Sequence, residues 1–124
     1  LLGSKYYTDH PIYPLENTVA NLNIDMIGRL DDWHDTANYV YLIGADRLSQ
    51  ELHDISEQVN KEYVGLKLEY KFNEEDDPNR YYYRSDHFAF AKRGVPMLYL
   101  DGGEDLIDFF DFIAVTAKKL RVSK

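Results

Sequence analysis

The residue best suited to carry chemistry is Asp25, which lies near the end of an apolar run over residues 22–27. Gly28 closes this run. A run of this composition and length predicts a strand inside a sheet that is covered on both faces. A carboxylate at the end of a buried strand must be hydrogen-bonded, ion-paired or bound to a metal. Ligands of open α/β sheets bind at the carboxyl ends of strands, so Asp25 is predicted to lie in a functional site. By residue type alone, the better explanation of Asp25 is that it caps a loop.

A second group of polar residues, Arg84-Ser85-Asp86-His87, lies downstream. Ser85 is predicted to be the N-cap of a short helix, where Asp86 would complement the helix dipole. His87 could bond a carbonyl or a carboxylate. Taken alone, the Asp-His pair is as well explained by local structure as by a functional site.

The remaining candidates are weaker. His10 lies beside Pro11, His34 lies in a polar turn and His53 lies on a predicted helix. Each of these side chains is expected to be solvated or to cap backbone. The acidic run 74–77 lacks the glycine and the alternating spacing of a calcium loop and is expected to be a solvated charge run.

Composition excludes several classes of function. A net charge of −8 disfavours a nucleic-acid partner and an anionic membrane, since both favour clustered lysine and arginine. The absence of cysteine leaves carboxylate and imidazole as the strong metal ligands. No apolar run approaches the roughly 20 residues of a membrane span.

The predicted elements are those that must position these side chains. The chain is predicted to be one domain, an α/β/α sandwich with a mixed sheet. Its predicted helices and strands, in the order α-β-β-α-β-α-β-α, cover residues 1–10, 19–27, 38–43, 46–59, 66–72, 86–93, 95–100 and 106–120. In the last helix, the core spacing indicates Ile107, Phe110, Ile113 or Ala114, and Ala117.

Four motifs together resemble the second half of the co-catalytic zinc aminopeptidases, the family that includes bacterial leucyl aminopeptidases and glutaminyl cyclases. They are Leu2-Gly3-Ser4, the run Asn-Ile-Asp-Met-Ile-Gly-Arg at 23–29, Arg84-Ser85-Asp86-His87 and Gly94-Val95-Pro96. The resemblance extends over nearly the whole chain except residues 101–106.

The resemblance implies a metallo-exopeptidase that uses two zinc ions to hydrolyse amino-terminal residues from peptides. It implies that Asp25 is a terminal zinc ligand and that Asp86 and His87 support the ligands without touching metal. The tyrosines of this chain are expected mostly to serve packing. Some of the cluster at 81–83, with Tyr82 and Tyr83 as the candidates, could instead line a pocket for an apolar amino-terminal side chain in the intact enzyme. Relatives of this type are often exported, which favours a periplasmic or secreted location.

The departures from the family are as informative as the matches. The upstream His-x-Asp motif, the bridging aspartate and the Glu-Glu pair that includes the general base are absent from this chain. The long loop that carries the last histidine ligand in relatives is replaced by a short segment, 101–105. A catalytic zinc needs about three protein ligands, so the isolated chain is expected to bind zinc weakly and to be inactive.

Three interpretations therefore remain open. The chain is the carboxyl-terminal part of a zinc aminopeptidase, a non-catalytic α/β module for binding or assembly, or a fragment without a role of its own. A half-domain would expose sheet edges and apolar faces, so self-association or pairing with the missing half is also expected.

Overall fold

A computed structural model describes residues 1–102 and 106–123 of the chain. Five α-helices and four strands, together with short 3-10 and π-helical segments, make up the regular structure of these residues. The helices are α1 (Leu2–Asp9), α2 (Ala45–Leu48), α3 (Gln50–Val59), α4 (His87–Ala91) and α5 (Leu106–Ser123). The strands are β1 (Asn21–Asp25), β2 (Tyr39–Ile43), β3 (Lys67–Glu69) and β4 (Met97–Asp101).

The four strands form one sheet in the order β1-β4-β2-β3. β1 is parallel to β4 and β2 is parallel to β3, whereas β2 and β4 are antiparallel. The predicted mixed sheet is therefore confirmed. Because β1 and β4 run the same way, their carboxyl ends lie side by side, with Asp25 opposite Asp101.

Side-chain alternation along the strands divides the core into two layers. On one face, Leu42, Leu98 and Leu100 pack with α3 and with Phe112 of α5. On the other face, Tyr41 and Tyr99 lie in an aromatic cluster with residues around α4. These two layers confirm the predicted α/β/α sandwich.

Several predicted elements are longer than the observed ones. β1 stops at Asp25 because Met26 adopts a φ of +54°, which takes the backbone out of the extended region. β3 ends at Glu69, and the chain then turns so that Phe72 joins the aromatic face instead of continuing the strand. The predicted helix after residue 46 is divided at Ser49, which has an extended backbone. The Ser49 hydroxyl caps α3 by accepting from the Leu52 N–H at 3.1 Å.

The buried face of α5 agrees with the predicted one only in part. Phe112, Thr116 and Leu120 are buried, Ile113 is half-buried and packs against the core as predicted, and Ala114 is exposed. The predicted core positions Ile107 and Phe110 lie in α5, but their side chains are not among those that the structure describes. Among the described helices, none has the length and apolar character needed to cross a membrane.

Candidate functional site

Asp25 lies where the sequence predicts it, at the carboxyl end of β1. The strand is half-buried along its whole length rather than buried, because it forms one edge of the sheet. The apolar run therefore indicated the strand correctly but overestimated its burial. Leu22 and Ile24 pack into the aliphatic layer, which directs Asn23 and Asp25 to the opposite, aromatic face.

Two polar side chains orient the Asp25 carboxylate. The Ser85 hydroxyl donates to Asp25 Oδ2 at 2.8 Å, and the Asn23 amide donates to Ser85 Oγ at 3.1 Å. Ser85 is buried, so its hydroxyl has no competing water and fixes the carboxylate in one position. The hydroxyl was predicted to cap the following helix, but it makes no such hydrogen bond.

His87 is fully buried at the far end of the same hydrogen-bonded chain. Its Nε2 lies 2.7 Å from the Tyr82 carbonyl oxygen and must donate to it. Its Nδ1 therefore accepts from the Asn23 amide at 3.2 Å. Burial lowers the pKa of His87, which agrees with this neutral tautomer. Asn23 and Ser85 thus separate His87 from Asp25, and both ring nitrogens are already engaged.

Asp86 points away from this chain of hydrogen bonds. Its Oδ1 accepts from the Ser4 hydroxyl at 2.8 Å, and its side chain is 55% exposed. The structure therefore brings His87, but not Asp86, into the network that holds Asp25. Asp86 instead ties α4 to α1.

Asp101 is a second carboxylate at the site that the sequence did not indicate. It is 9% exposed and directly opposite Asp25 in the sheet register. Burial raises the pKa of Asp101 to about 6, and the charge of the neighbouring Asp25 raises it further. The Tyr99 hydroxyl donates to Asp101 Oδ2 at 3.2 Å and opposes this increase. Two carboxylates thus face the same end of the sheet.

A cavity of about 370 Å³ opens beside Asp101. Its interior is formed by buried aromatic rings and by the end of β4, and its rim by exposed side chains. The interior residues are Tyr39, Tyr41, Phe72, Tyr81, Asp101 and Gly102. The rim residues are Met26, Arg29, Leu30, Trp33 and Arg84, with Asp31 between rim and interior. A volume of this size is typical of small-molecule sites.

Asp31 and His34 support one wall of the cavity. The Tyr41 hydroxyl donates to Asp31 Oδ2 at 2.5 Å, and His34 Nδ1 lies 2.8 Å from Asp31 Oδ1. Burial opposes ionisation of Asp31, but hydrogen bonds from Tyr41, His34 and the Trp33 N–H prevail and lower its pKa to about 2. The His34 ring stacks on Tyr39 with centroids 3.6 Å apart. His34, expected to be solvated or to cap backbone, is instead an internal support.

Of the three consecutive tyrosines, Tyr81 lines this cavity, and Tyr82 and Tyr83 are not among its lining residues. Tyr82 lies under the Arg47 guanidinium, 4.4 Å from the ring centroid. Tyr83 packs edge-on against Phe88 with centroids 5.1 Å apart. The cavity therefore includes one residue of the 81–83 cluster, Tyr81, and the substrate pocket predicted at Tyr82 and Tyr83 stays a prediction.

The described residues do not by themselves fit a complete zinc site. No group of three or more His, Asp or Glu within residues 1–102 and 106–123 could hold a metal ion. Asp25 and Asp101 offer carboxylate oxygen, but His87 uses both ring nitrogens in hydrogen bonds. A catalytic zinc takes about three protein ligands, so further donors are required.

The fold and the site define the class: a three-layer α/β protein with an oriented aspartate at a strand end. Comparison with protein-family models matches residues 1–119 to the family described as Peptidase family M28. The chain belongs to this family, whose members are generally zinc-dependent peptidases. Searches of curated proteins and of solved structures each found no similar protein.

Proposed function

We propose that this chain is the carboxyl-terminal part of the catalytic domain of a zinc-dependent aminopeptidase. In this proposal Asp25 is one ligand of the metal centre, which releases amino-terminal residues from peptides. The observation that supports it most directly is the hydrogen bond that the Ser85 hydroxyl donates to Asp25 Oδ2 at 2.8 Å. The match of residues 1–119 to Peptidase family M28 supports it as well. A hydrogen bond to a ligating carboxylate fixes which oxygen lone pairs face the metal.

The remaining ligands and the general base come from residues outside this chain. The donor set of the described residues supports this part of the proposal. His87, which Asn23 and Ser85 link to Asp25, has both ring nitrogens engaged, and residues 1–102 and 106–123 hold no three-ligand group. Zinc supplies an acidified water and polarises a carbonyl once its coordination is complete. This chain contributes the orientation of Asp25 and the cavity beside it. By itself it is inactive.

The cavity lined by Tyr81 takes the side chain of the substrate's first residue. Met26, which directly follows Asp25, lies on its rim, and Asp101, opposite Asp25, lies in its interior. A peptide whose first carbonyl reaches the metal at Asp25 therefore has its amino-terminal side chain within reach of the cavity.

Hydrolysis assays on an extended polypeptide test this function. The polypeptide carries this chain together with the coding sequence that precedes Leu1. We expect it to hydrolyse aminoacyl p-nitroanilides, and to leave the same substrates intact when their amino group is acetylated. Hydrolysis of acetylated peptides at internal bonds would contradict aminopeptidase specificity.

A non-catalytic binding or assembly module is the second candidate. The observation in its favour is the lack of a three-ligand group among the residues that the structure describes. An initiator methionine immediately before Leu1 in the gene would favour this module, whereas upstream His-x-Asp and Glu-Glu motifs would favour the peptidase.

We further propose that the edge of β1 pairs with the rest of the catalytic domain, and with a second copy when the chain is alone. Within the described ranges, β1 pairs with β4 on one side and with no strand on the other. Large apolar side chains of the amino-terminal segment are also exposed, with Leu2 at 87% and Ile12 at 79%. Free strand edges and exposed apolar surface favour association.

Sedimentation velocity at micromolar concentration tests this association. We expect the isolated chain to form dimers or larger species, with roughly 1,200 Å² or more buried in total. The double variant Leu2→Glu, Ile12→Glu should shift the distribution towards monomer. A monomer at every concentration of the unmodified chain would contradict the proposal.

A further inference from the structure

The cavity beside Asp101 has a negative interior and a positive rim. Asp101 is 9% exposed, whereas the two arginines that line the cavity, Arg29 and Arg84, are exposed. Arg84 donates from Nη1 to the Asn79 carbonyl at 3.1 Å, so part of its charge is already engaged by backbone. Exposed charges are screened by solvent, so the buried carboxylate dominates the field deep in the cavity.

The aromatic walls already bind cations that belong to the chain. Lys71 Nζ lies 3.6 Å from the centroid of the Trp33 ring. The Arg84 guanidinium carbon lies 5.4 Å from the centroid of Tyr81. Ring faces attract ammonium and guanidinium groups in this distance range. The aromatic rings around the cavity are therefore suited to contact a positively charged group.

The two carboxylates of the cavity differ in how they are satisfied. Asp31 accepts from Tyr41, His34 and the Trp33 N–H. Asp101 accepts from the neutral Tyr99 hydroxyl at 3.2 Å and from the Gly102 backbone N–H, and within the described residues it forms no ion pair with a lysine, arginine or histidine. A buried carboxylate without a cation is the group that a cationic ligand would stabilise most.

We propose that this cavity binds the cationic end of a lysine-like or arginine-like side chain, with Asp101 as its partner in the interior. The aromatic rings of Tyr41, Phe72 and Tyr81 would pack against the aliphatic part of that side chain. The identification of the ligand as the first residue of a peptide rests on the proposed function. Under that function, the enzyme prefers peptides that begin with a basic residue.

Trp33 allows the binding to be measured without zinc or catalysis. It is the chain's one tryptophan and lies on the rim of the cavity, so its fluorescence reports occupancy. The 124-residue chain is titrated at pH 8 with hexylamine, with butylguanidinium and with the neutral analogue hexan-1-ol. We expect both cations to bind at least about tenfold more tightly than the alcohol, as a charge-assisted contact implies.

Asp101→Asn is the decisive variant because it keeps the shape and the acceptor for Tyr99 while it removes the charge. It should reduce the affinity for both cations by about tenfold and leave hexan-1-ol binding unchanged. Asp76→Asn, an exposed acidic residue outside the cavity, is the matched control and should have no effect. If Asp101→Asn fails to fold by circular dichroism, Tyr81→Leu tests the aromatic wall and should also weaken cation binding.

Equal affinity for the cations and the alcohol, or no response to any of the three, would overturn the inference. So would unchanged cation binding in a folded Asp101→Asn variant. Failure of the proposed function has a different signature. Cation binding by the isolated chain would persist while the extended polypeptide shows no aminopeptidase activity. An active extended polypeptide that prefers leucine over lysine would overturn the basic specificity alone.

Discussion

Replacement of Asp25 by asparagine in the extended polypeptide is expected to lower zinc affinity by about 100-fold or more and to abolish hydrolysis. Loss of a group that merely supports a ligand costs roughly 10–100-fold in metal affinity, and loss of the ligand itself should cost at least as much. Asparagine keeps the shape of the side chain and can still accept from Ser85 Oγ. The change therefore isolates the charge and the metal-binding oxygen.

Competition with a chromogenic chelator measures the affinity, and p-nitroanilide release measures the activity. Asp76→Asn is the control, since it removes an exposed carboxylate elsewhere in the chain. An Asp25→Asn polypeptide with native zinc affinity would show that Asp25 is not a ligand and would favour the loop-capping interpretation of this residue.

Replacement of Gly44 by alanine is expected to destabilise the fold by roughly 2–5 kcal/mol, from backbone strain together with overpacking. Gly44 has a φ of +85°, which L-residues rarely adopt, and it begins α2 directly after β2. A Cβ there would overlap Met97 Sδ and would lie 2.8 Å from Tyr82 Cε2. Both neighbours are confined, Met97 within β4 and Tyr82 under Arg47, so neither can move freely.

Gly65→Ala is the matched control for this substitution. Gly65 also has a positive φ, +78°, but no atom lies within 4 Å of the position that its Cβ would take. The control therefore carries the backbone strain alone and should cost about 1 kcal/mol. Urea denaturation of the three proteins compares the free energies of unfolding. Equal losses for the two variants would contradict the predicted contact of Gly44 with Met97 and Tyr82.

Local sequence patterns were sufficient to predict that the four strands exist, although β1 and β3 are shorter than predicted. Alternation placed β2 at its observed bounds to within one residue, and the apolar run around Asp25 indicated β1. Asn23 could also have been found, since a residue two positions before Asp25 on a strand shares its face. What local patterns lack is the register between distant strands, which places Asp101 beside Asp25 across 75 intervening positions.

The role of Ser85 shows the same limit. Its position before a short helix is typical of an N-cap, and that local pattern predicted the use of its hydroxyl. In the structure, the tertiary contact with Asp25 takes the hydroxyl instead. Likewise, Phe72 continues an alternating pattern but joins the opposite face after a turn at Tyr70, where the Asn73 N–H bonds the Tyr70 carbonyl. Contacts between distant segments decided both outcomes.

The most direct test of the central claim is a calorimetric zinc titration of the 124-residue chain by itself. The claim is that this chain supplies one oriented ligand, Asp25, to a metal centre that residues outside it complete. It predicts no stoichiometric zinc binding in the submicromolar range, because fewer than about three protein ligands do not hold a catalytic zinc tightly. A stoichiometric, submicromolar site on the isolated chain would contradict the claim and would show that the chain carries a complete metal centre of its own.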